Sequence, residues 1–399
     1  MKTGTNTITY TFNHNGLEVI KNFILHNSKY IIELQLLIKN RAPAGRNLSY
    51  RIVGGSGLTE PSPQDIRFIE IRSELDGKLS NFKRPKKGRI INPGLVNWVA
   101  LKNKYFSIIL KPFLETQNQF YSEGRAGALV TGIESKEVTI PPNSFVENRF
   151  VLYAGPSEIS ILKNIGFGLD GSIDYGFFGW ISKALISSMK FFYKVVRNWG
   201  ISIILLSIFL NLILSPLTFK SFKSMQKMQA LHPQMEKLKS QYKDNPQKLN
   251  KEIMELYKKY KINPFSGCMP MILQMPIFIS LYNALMRSIE LRGASFLWVK
   301  DLSMPDAVKI PITLPIFGAS INILPIIMII AMVIQQNISK KSMGGAVTPE
   351  QEQQQRLMLI LMPVMFGFIF YNMPSGLVLY WIINTTLTIV EQYAMVKNA

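Results

Sequence analysis

Apolar and polar positions alternate along the first part of the chain, and long apolar runs then replace them. Ile8, Tyr10 and Phe12 recur with period two, as do Tyr30, Ile32, Leu34, Leu36 and Ile38, and again Phe150, Leu152 and Ala154. That period puts alternate side chains on one face of a half-buried β-strand. Turn residues separate the runs: Asn13 to Gly16, Ala42 to Gly45, Gly54 to Gly57, and Pro141 with Pro142. Short strands with one apolar face pack as two layers, so residues 1–160 are expected to form an all-β sandwich domain. No catalytic constellation stands out within it.

Over residues 177–197 the period changes. Lys183, Ser187, Lys190, Lys194 and Arg197 fall on one helical face, opposite Phe177, Trp180, Ile181, Leu185, Phe192 and Val195. Such a helix, placed at 175–198, can lie in the membrane interface with its lysines among headgroups. The alternative is a helix packed on the β-domain.

Beyond residue 200 come four uncharged apolar runs: 201–219, 269–286, 312–339 and 357–387. A run of about 18 residues suffices to cross a hydrocarbon core of ~30 Å. The last run is too long for one span and breaks at Asn372-Met373-Pro374-Ser375-Gly376, so it predicts two helices, 357–372 and 376–390. The expected fold is therefore a membrane protein: a five-helix transmembrane bundle over 199–396, preceded by the all-β domain. The first span is expected to end near Pro216, and the third to cover 312–338.

Between the first two spans, residues 219–262 hold eleven lysines against four acids. Met225, Met228, Leu231, Met235 and Leu238 make one narrow apolar seam, and Leu249, Ile253, Leu256 and Tyr260 another. Asp244-Asn245-Pro246 is a turn that caps the second arm, so the segment predicts an antiparallel helical hairpin. Its lysine excess marks the cytosolic side. The β-domain then lies outside, in the periplasm, and the loop 339–356 and the C-terminus lie inside. Phe296, Leu297 and Trp298 suit the outer interface.

Composition changes this picture little. The net charge of +20 among 399 residues would suit nucleic acid in a soluble chain, but here the lysines cluster beside the spans. Cys268 is the single cysteine and His14, His26 and His232 are scattered, which argues against a disulfide framework or a metal site. No cofactor is expected. The first residues carry no signal peptide, while the orientation puts the domain they open across the membrane. A preceding span is therefore expected to be missing, with this chain a truncated version.

Charged residues are absent from the expected spans, which argues against an ion pump or proton relay. Neutral polar groups remain: Ser207, Asn211 and Ser215 on one stripe of the first span, and Gln274 on the second. Gln335 and Gln336 sit on the third, and Tyr380, Trp381, Asn384, Thr385 and Thr386 on the last. They either join helices by hydrogen bonds worth about 0.6 kcal/mol each or line a wet groove. Gly166-Phe167-Gly168-Leu169-Asp170-Gly171 matches GxGxxG in form only, since no βαβ unit surrounds it. Ser375 has no base within a span, so proteolysis is rejected.

Asn198-Trp199-Gly200, Ser215-Pro216-Leu217-Thr218, Tyr257 to Tyr260 with Asn263-Pro264, Gln274 with Pro276, Met362-Pro363-Val364, and Pro374 to Trp381 are collinear over 175–396. This pattern resembles the YidC/Oxa/Alb family of membrane protein insertases. The stretch from Asn92-Pro93-Gly94 to Pro112 is similar to the periplasmic β-supersandwich of bacterial YidC, in shortened form. The resemblance implies a non-enzymatic insertase and chaperone of the bacterial inner membrane, working without nucleotide or metal. Its client groove, open to cytosol and lipid, would use Ser207, Asn211, Ser215, Gln274, Gln335, Tyr380, Trp381, Asn384 and Thr385. The hairpin lysines Lys220, Lys223, Lys227, Lys237, Lys239 and Lys243 would meet nascent membrane-protein clients and ribosomes, beside the Sec translocon and within the lipid bilayer. Where the family usually carries a groove arginine, five residues before Pro216, stands Asn211, which cannot supply that field. The rival readings are a small-solute channel or transporter and a structural membrane assembly factor.

Overall fold

Period-two strands need a partner layer for their apolar face, and the first unit supplies one. The computed structural model describes residues 2–397 apart from 5, 27–29, 59–62, 84, 86–87, 115–117, 126–127, 244, 262, 264–268, 315–317 and 344–348. It divides into Met1–Asp174 and Tyr175–Ala399. In the first unit a nine-stranded antiparallel sheet packs on a four-stranded one. Ile31–Asn40 buries Leu34, Leu36 and Ile38 at alternate positions, against a core shared with Ile52, Phe120 and Ile133.

The alternation in Thr7–His14 is real but does not mark a half-buried strand. Tyr10 and Phe12 are 48% and 63% exposed, because this strand lies next to the end of the long sheet. The smaller sheet packs over Val96–Lys102 and Phe106–Pro112 instead. After the last strand comes a short helix, α1 (Ile159–Ile165), closed by Gly166 at φ 86°. The glycine run from Gly166 to Gly171 then leads into a 3-10 turn. It does not join a strand to a helix as a dinucleotide loop does.

The second unit is helical: α2 (Gly179–Val196), α3 (Trp199–Ala230), α4 (His232–Gln241), α5 (Pro246–Lys259), α6 (Met269–Arg287), α7 (Ile323–Met343), α8 (Pro349–Tyr371) and α9 (Ser375–Lys397). Arg197 turns through a left-handed conformation, and the Asn198 side chain accepts the Ile201 N–H to cap α3. The Tyr193 and Trp199 rings stack across this corner at 3.9 Å. Helix α2 packs on α3 and α6 through Leu185 and Met189, while Phe177, Trp180 and Val195 stay 92%, 74% and 70% exposed.

Three boundaries correct the sequence reading. Helix α3 does not end near Pro216 but runs 32 residues, to Ala230. Pro216 has no N–H for the Leu212 carbonyl, and the Ser215 hydroxyl donates to that carbonyl at 3.0 Å. A neighbouring hydroxyl is how a spanning helix tolerates proline. The helix expected as the third span begins at Ile323 rather than 312, because Val308–Leu314 pairs antiparallel with Gly318–Ile321. Pro311 and the β-branched Ile310, Ile312 and Thr313 favour strand over helix there. The segment 339–356, expected as a loop, is mostly helix among its described residues, since α7 reaches Met343 and α8 starts at Pro349.

Helices α4 and α5 form the expected hairpin. Leu231 and Tyr257 are its buried centre, with Met228, Met235, Ile253 and Leu256 around them. Asn245 caps α5 by accepting the Lys248 N–H, and Pro246 takes the first helical position. Asp244 of that turn, Cys268 and the Pro264–Gly267 part of the family motif lie outside the described residues. Among the described residues, Trp199–Met228 is the helix long and apolar enough to cross a bilayer, and Ile323–Ser339 and Leu361–Tyr371 are shorter apolar segments.

Candidate functional site in the helical unit

The loop between α6 and α7 closes one end of the helical unit through backbone and carboxylate hydrogen bonds. Asp306, 7% exposed, accepts the N–H groups of Ile323 and Leu324 with one carboxylate oxygen, and so caps α7. The Trp298 indole N–H donates to the same oxygen at 3.2 Å. Asn322 accepts from the Ala307 N–H and donates to the Tyr371 carbonyl, fixing the end of α8. The Ser375 hydroxyl donates to the Met304 carbonyl at 2.8 Å, and the Gly376 N–H to Leu302. Ser375 is therefore spent on starting α9, which leaves it no nucleophilic role. Lys190 of α2 reaches Glu290 at 2.6 Å.

Below this cap the helices share an apolar core: Ile203 and Leu206 of α3, Leu281 and Leu285 of α6, Leu324 and Met328 of α7, and Leu377 and Val378 of α9. Further along the same helices the polar stripe begins and exposure rises. On α3, Ser207 is fully buried, whereas Asn211, Ser215 and Thr218 are half-buried. On α9, Tyr380 is fully buried, Trp381 and Asn384 are half-buried, and Thr385 is 4% exposed. Gln274 of α6 and Gln335 and Gln336 of α7 are half-buried. The polar face is thus buried at Ser207 and Tyr380 and half-buried at Asn211, Ser215 and Asn384, with Thr385 still buried among them.

The structure brings some of the expected groove residues together and withdraws others. Gln274 donates to the Tyr380 hydroxyl at 2.7 Å, a contact between α6 and α9. Ser207 is no groove-lining donor, since its hydroxyl bonds the Ile203 carbonyl of its own helix at 2.8 Å. Ser215 likewise serves Leu212. In an apolar surround a serine hydroxyl finds its nearest acceptor one turn back. Trp381 stands among Phe278, Phe366 and Phe370, with ring centroids 5.1–5.4 Å away. This aromatic cage was missed, although the four-residue spacing of Phe366 and Phe370 on one helix face was its signal. Asn211 and Asn384 keep their amides clear of hydrogen bonds to any described residue, and the Gln336 amide oxygen is buried without a donor.

The hairpin lysines separate from this face. Lys220, Lys223 and Lys227 are exposed along the end of α3, as are Lys237 on α4 and Lys243 after it, with Lys239 half-buried. Burial pushes the Tyr257 hydroxyl pKa up between the two arms. Among the described residues no group of three or more His, Cys, Asp or Glu could hold a metal.

Comparison with known proteins gives matches to both units. The family model described as 60Kd inner membrane protein matches residues 191–399, and that described as YidC periplasmic domain matches 1–188. The membrane protein insertase YidC of Syntrophobacter fumaroxidans is 34% identical over 397 residues, covering 96% of this chain and 69% of the relative. That of Pelobacter propionicus is 36% identical over 402 residues, covering 96% and 70%. That of Geobacter metallireducens is 43% identical over 303 residues, covering 75% and 53%.

Proposed function

The chain belongs to the YidC family of membrane protein insertases, and from that premise we propose that α3, α6, α7, α8 and α9 are five membrane spans around one client groove. It is a bacterial inner-membrane protein with a periplasmic β-domain, and it acts on membrane-protein clients. Helix α3 is long and apolar enough to span by itself, and α6 to α9, 19 to 23 residues with their polar and charged ends included, reach about 28–35 Å at 1.5 Å per residue.

The observation that carries the reading is the pair of half-buried amides Asn211 and Asn384, one turn beyond the buried Ser207 and Tyr380, while Thr385 beside them stays buried. Helix α9 starts beside Ile203, since a Cβ on Gly376 would stand 3.2 Å from that side chain. With both helices running inward, eight residues further along each bring Asn211 and Asn384 to one depth, about 12 Å below. Their free amides offer a polar client segment hydrogen bonds that lipid cannot. The client's apolar segment then slides along the spans into the bilayer. No covalent step and no nucleotide enter the mechanism.

The lysine-rich hairpin faces the cytosol and receives clients and ribosomes, and the groove works alone or beside the Sec translocon. The test is a photo-crosslinking residue at Asn211 or Asn384 during synthesis of a single-span client. Both positions should capture the client's translocating polar segment. Capture only from lipid-facing positions such as Ile213 would contradict the groove.

A further inference from the structure

A cleft of about 920 Å³ opens between the first turns of α7, the last turns of α8 and the strand pair Val308–Leu314 and Gly318–Ile321. Its volume falls within the range of about 300–1,000 Å³ found for small-ligand sites. Pro325, Ile326, Ile329 and Phe368 supply apolar wall, and Phe368 and Ile326 are 84% and 43% exposed at the mouth. Of the polar wall residues Ser320, Asn322, Tyr371 and Asn372, Asn322 is committed on both ends of its amide, to the Ala307 N–H and the Tyr371 carbonyl. It shapes the cleft and offers a ligand nothing.

A charge stands beside the cleft, one strand away from its lining. Ser320 lines the cleft, and Lys309 is its cross-strand partner, so both side chains stand on one face of the strand pair. Lys309 is exposed and has no ion-pair partner among the described residues. An apolar slot with a single cation at its edge does not reward a polar solute, which would lose its hydration inside. It does match a molecule with a long apolar chain and an anionic end. A lysine meets phosphate as a compact point charge.

We propose that this cleft holds one acyl chain of a bilayer phospholipid, whose phosphate sits against Lys309 at the capped, outer end of α7 and α8. The site is separate from the polar face and does not depend on how clients are inserted. It rests on α7 and α8 spanning the bilayer, because only then does the mouth at Phe368 and Ile326 open on hydrocarbon. Entry of a chain from surrounding lipid exchanges one apolar environment for another, while the phosphate gains a cation.

The experiment is native mass spectrometry of the full chain released from nanodiscs of mixed phosphatidylethanolamine and phosphatidylglycerol. The wild-type protein should retain one phospholipid that two cleft-filling variants, Ile326→Trp and Ala307→Phe, lose at an unchanged melting temperature. Lys309→Glu should abolish the preference for phosphatidylglycerol over phosphatidylethanolamine in the retained adduct. Retention of the same lipid by both filled variants would overturn the proposal, as would a retained peptide in its place. Reaction of Phe368→Cys with a membrane-impermeant maleimide would instead remove the spanning premise. Client insertion by the filled variants, measured in the same preparation, tells a failed cleft from a failed insertase.

Discussion

At the scale of single residues, hydroxyls and amides decide more than charges do. Ser215 covers the carbonyl that Pro216 leaves open. Ser215→Ala should therefore lower the melting temperature in detergent by an amount matching about 0.5–1 kcal/mol, the usual range for one such bond in a membrane helix. An unchanged melting temperature would leave Pro216 without its compensation. Asn211, which the resemblance sets where the family usually carries an arginine, presents a half-buried amide without a hydrogen bond to a described residue. Asn211→Arg should raise insertion of clients with acidic translocated tails several-fold over clients with neutral tails, and equal gains for both would contradict an electrostatic role. In the β-unit, burial first, and then Tyr30 and Glu158, push the Tyr153 pKa well above its usual value near 10. The folded state thus holds that proton longer than the unfolded chain. The stability it contributes is complete below pH 10 and is lost as the pH climbs above it. Thermal melts of wild type and Tyr153→Phe should diverge in pH dependence only on that alkaline side.

At the scale of elements, the sequence pattern located the helices by their apolar runs but misplaced ends where a local bond overrides a propensity. Pro216 reads as a stop, and nothing in its own identity announces that Ser215 will take over the Leu212 carbonyl. The apolar stretch from Ile312 reads as the start of a span, yet Pro311 and its β-branched neighbours pair with Gly318–Ile321 and postpone the helix to Ile323. The Pro374-Ser375-Gly376 break was legible because proline and glycine stand together there in a run too long for one span, whereas Pro216, Pro276 and Pro363 each lie alone inside a helix. Close packing between helices was not legible. A Cβ on Gly367 would stand 2.3 Å from the Ile329 Cδ1 atom, so α8 meets α7 across a bare glycine. Gly367→Val should cost about 1–3 kcal/mol by overpacking. Gly367→Val combined with Ile329→Ala should recover part of that loss, which a double-mutant cycle in thermal melts will measure. Additive losses would mean that the two side chains do not share the space.

At the scale of the whole molecule, two units with different physical rules are joined in one chain. The β-unit follows water: its alternating strands bury Leu34, Leu36 and Ile38 and leave Tyr10 and Phe12 outside at the sheet end. The helical unit follows lipid. Outside the hairpin its exposed side chains are largely apolar, and Ser207 and Tyr380 are buried near the capped end while Asn211 and Asn384 are half-buried. That each helix carries neutral polar residues at helical spacing could be read from the sequence. Which of them are buried could not, because the burial of Ser207 and Tyr380 depends on which helices meet at which depth. The aromatic cage around Trp381 escaped for the same reason, since it draws rings from α6 and α8. The central claim is that this polar stripe inserts proteins and is not a conduit for solutes. The most direct measurement is insertion of a short single-span client into liposomes carrying only this chain, with an entrapped small dye. The account predicts insertion above that of empty liposomes with the dye retained, whereas dye leakage without added insertion would contradict it.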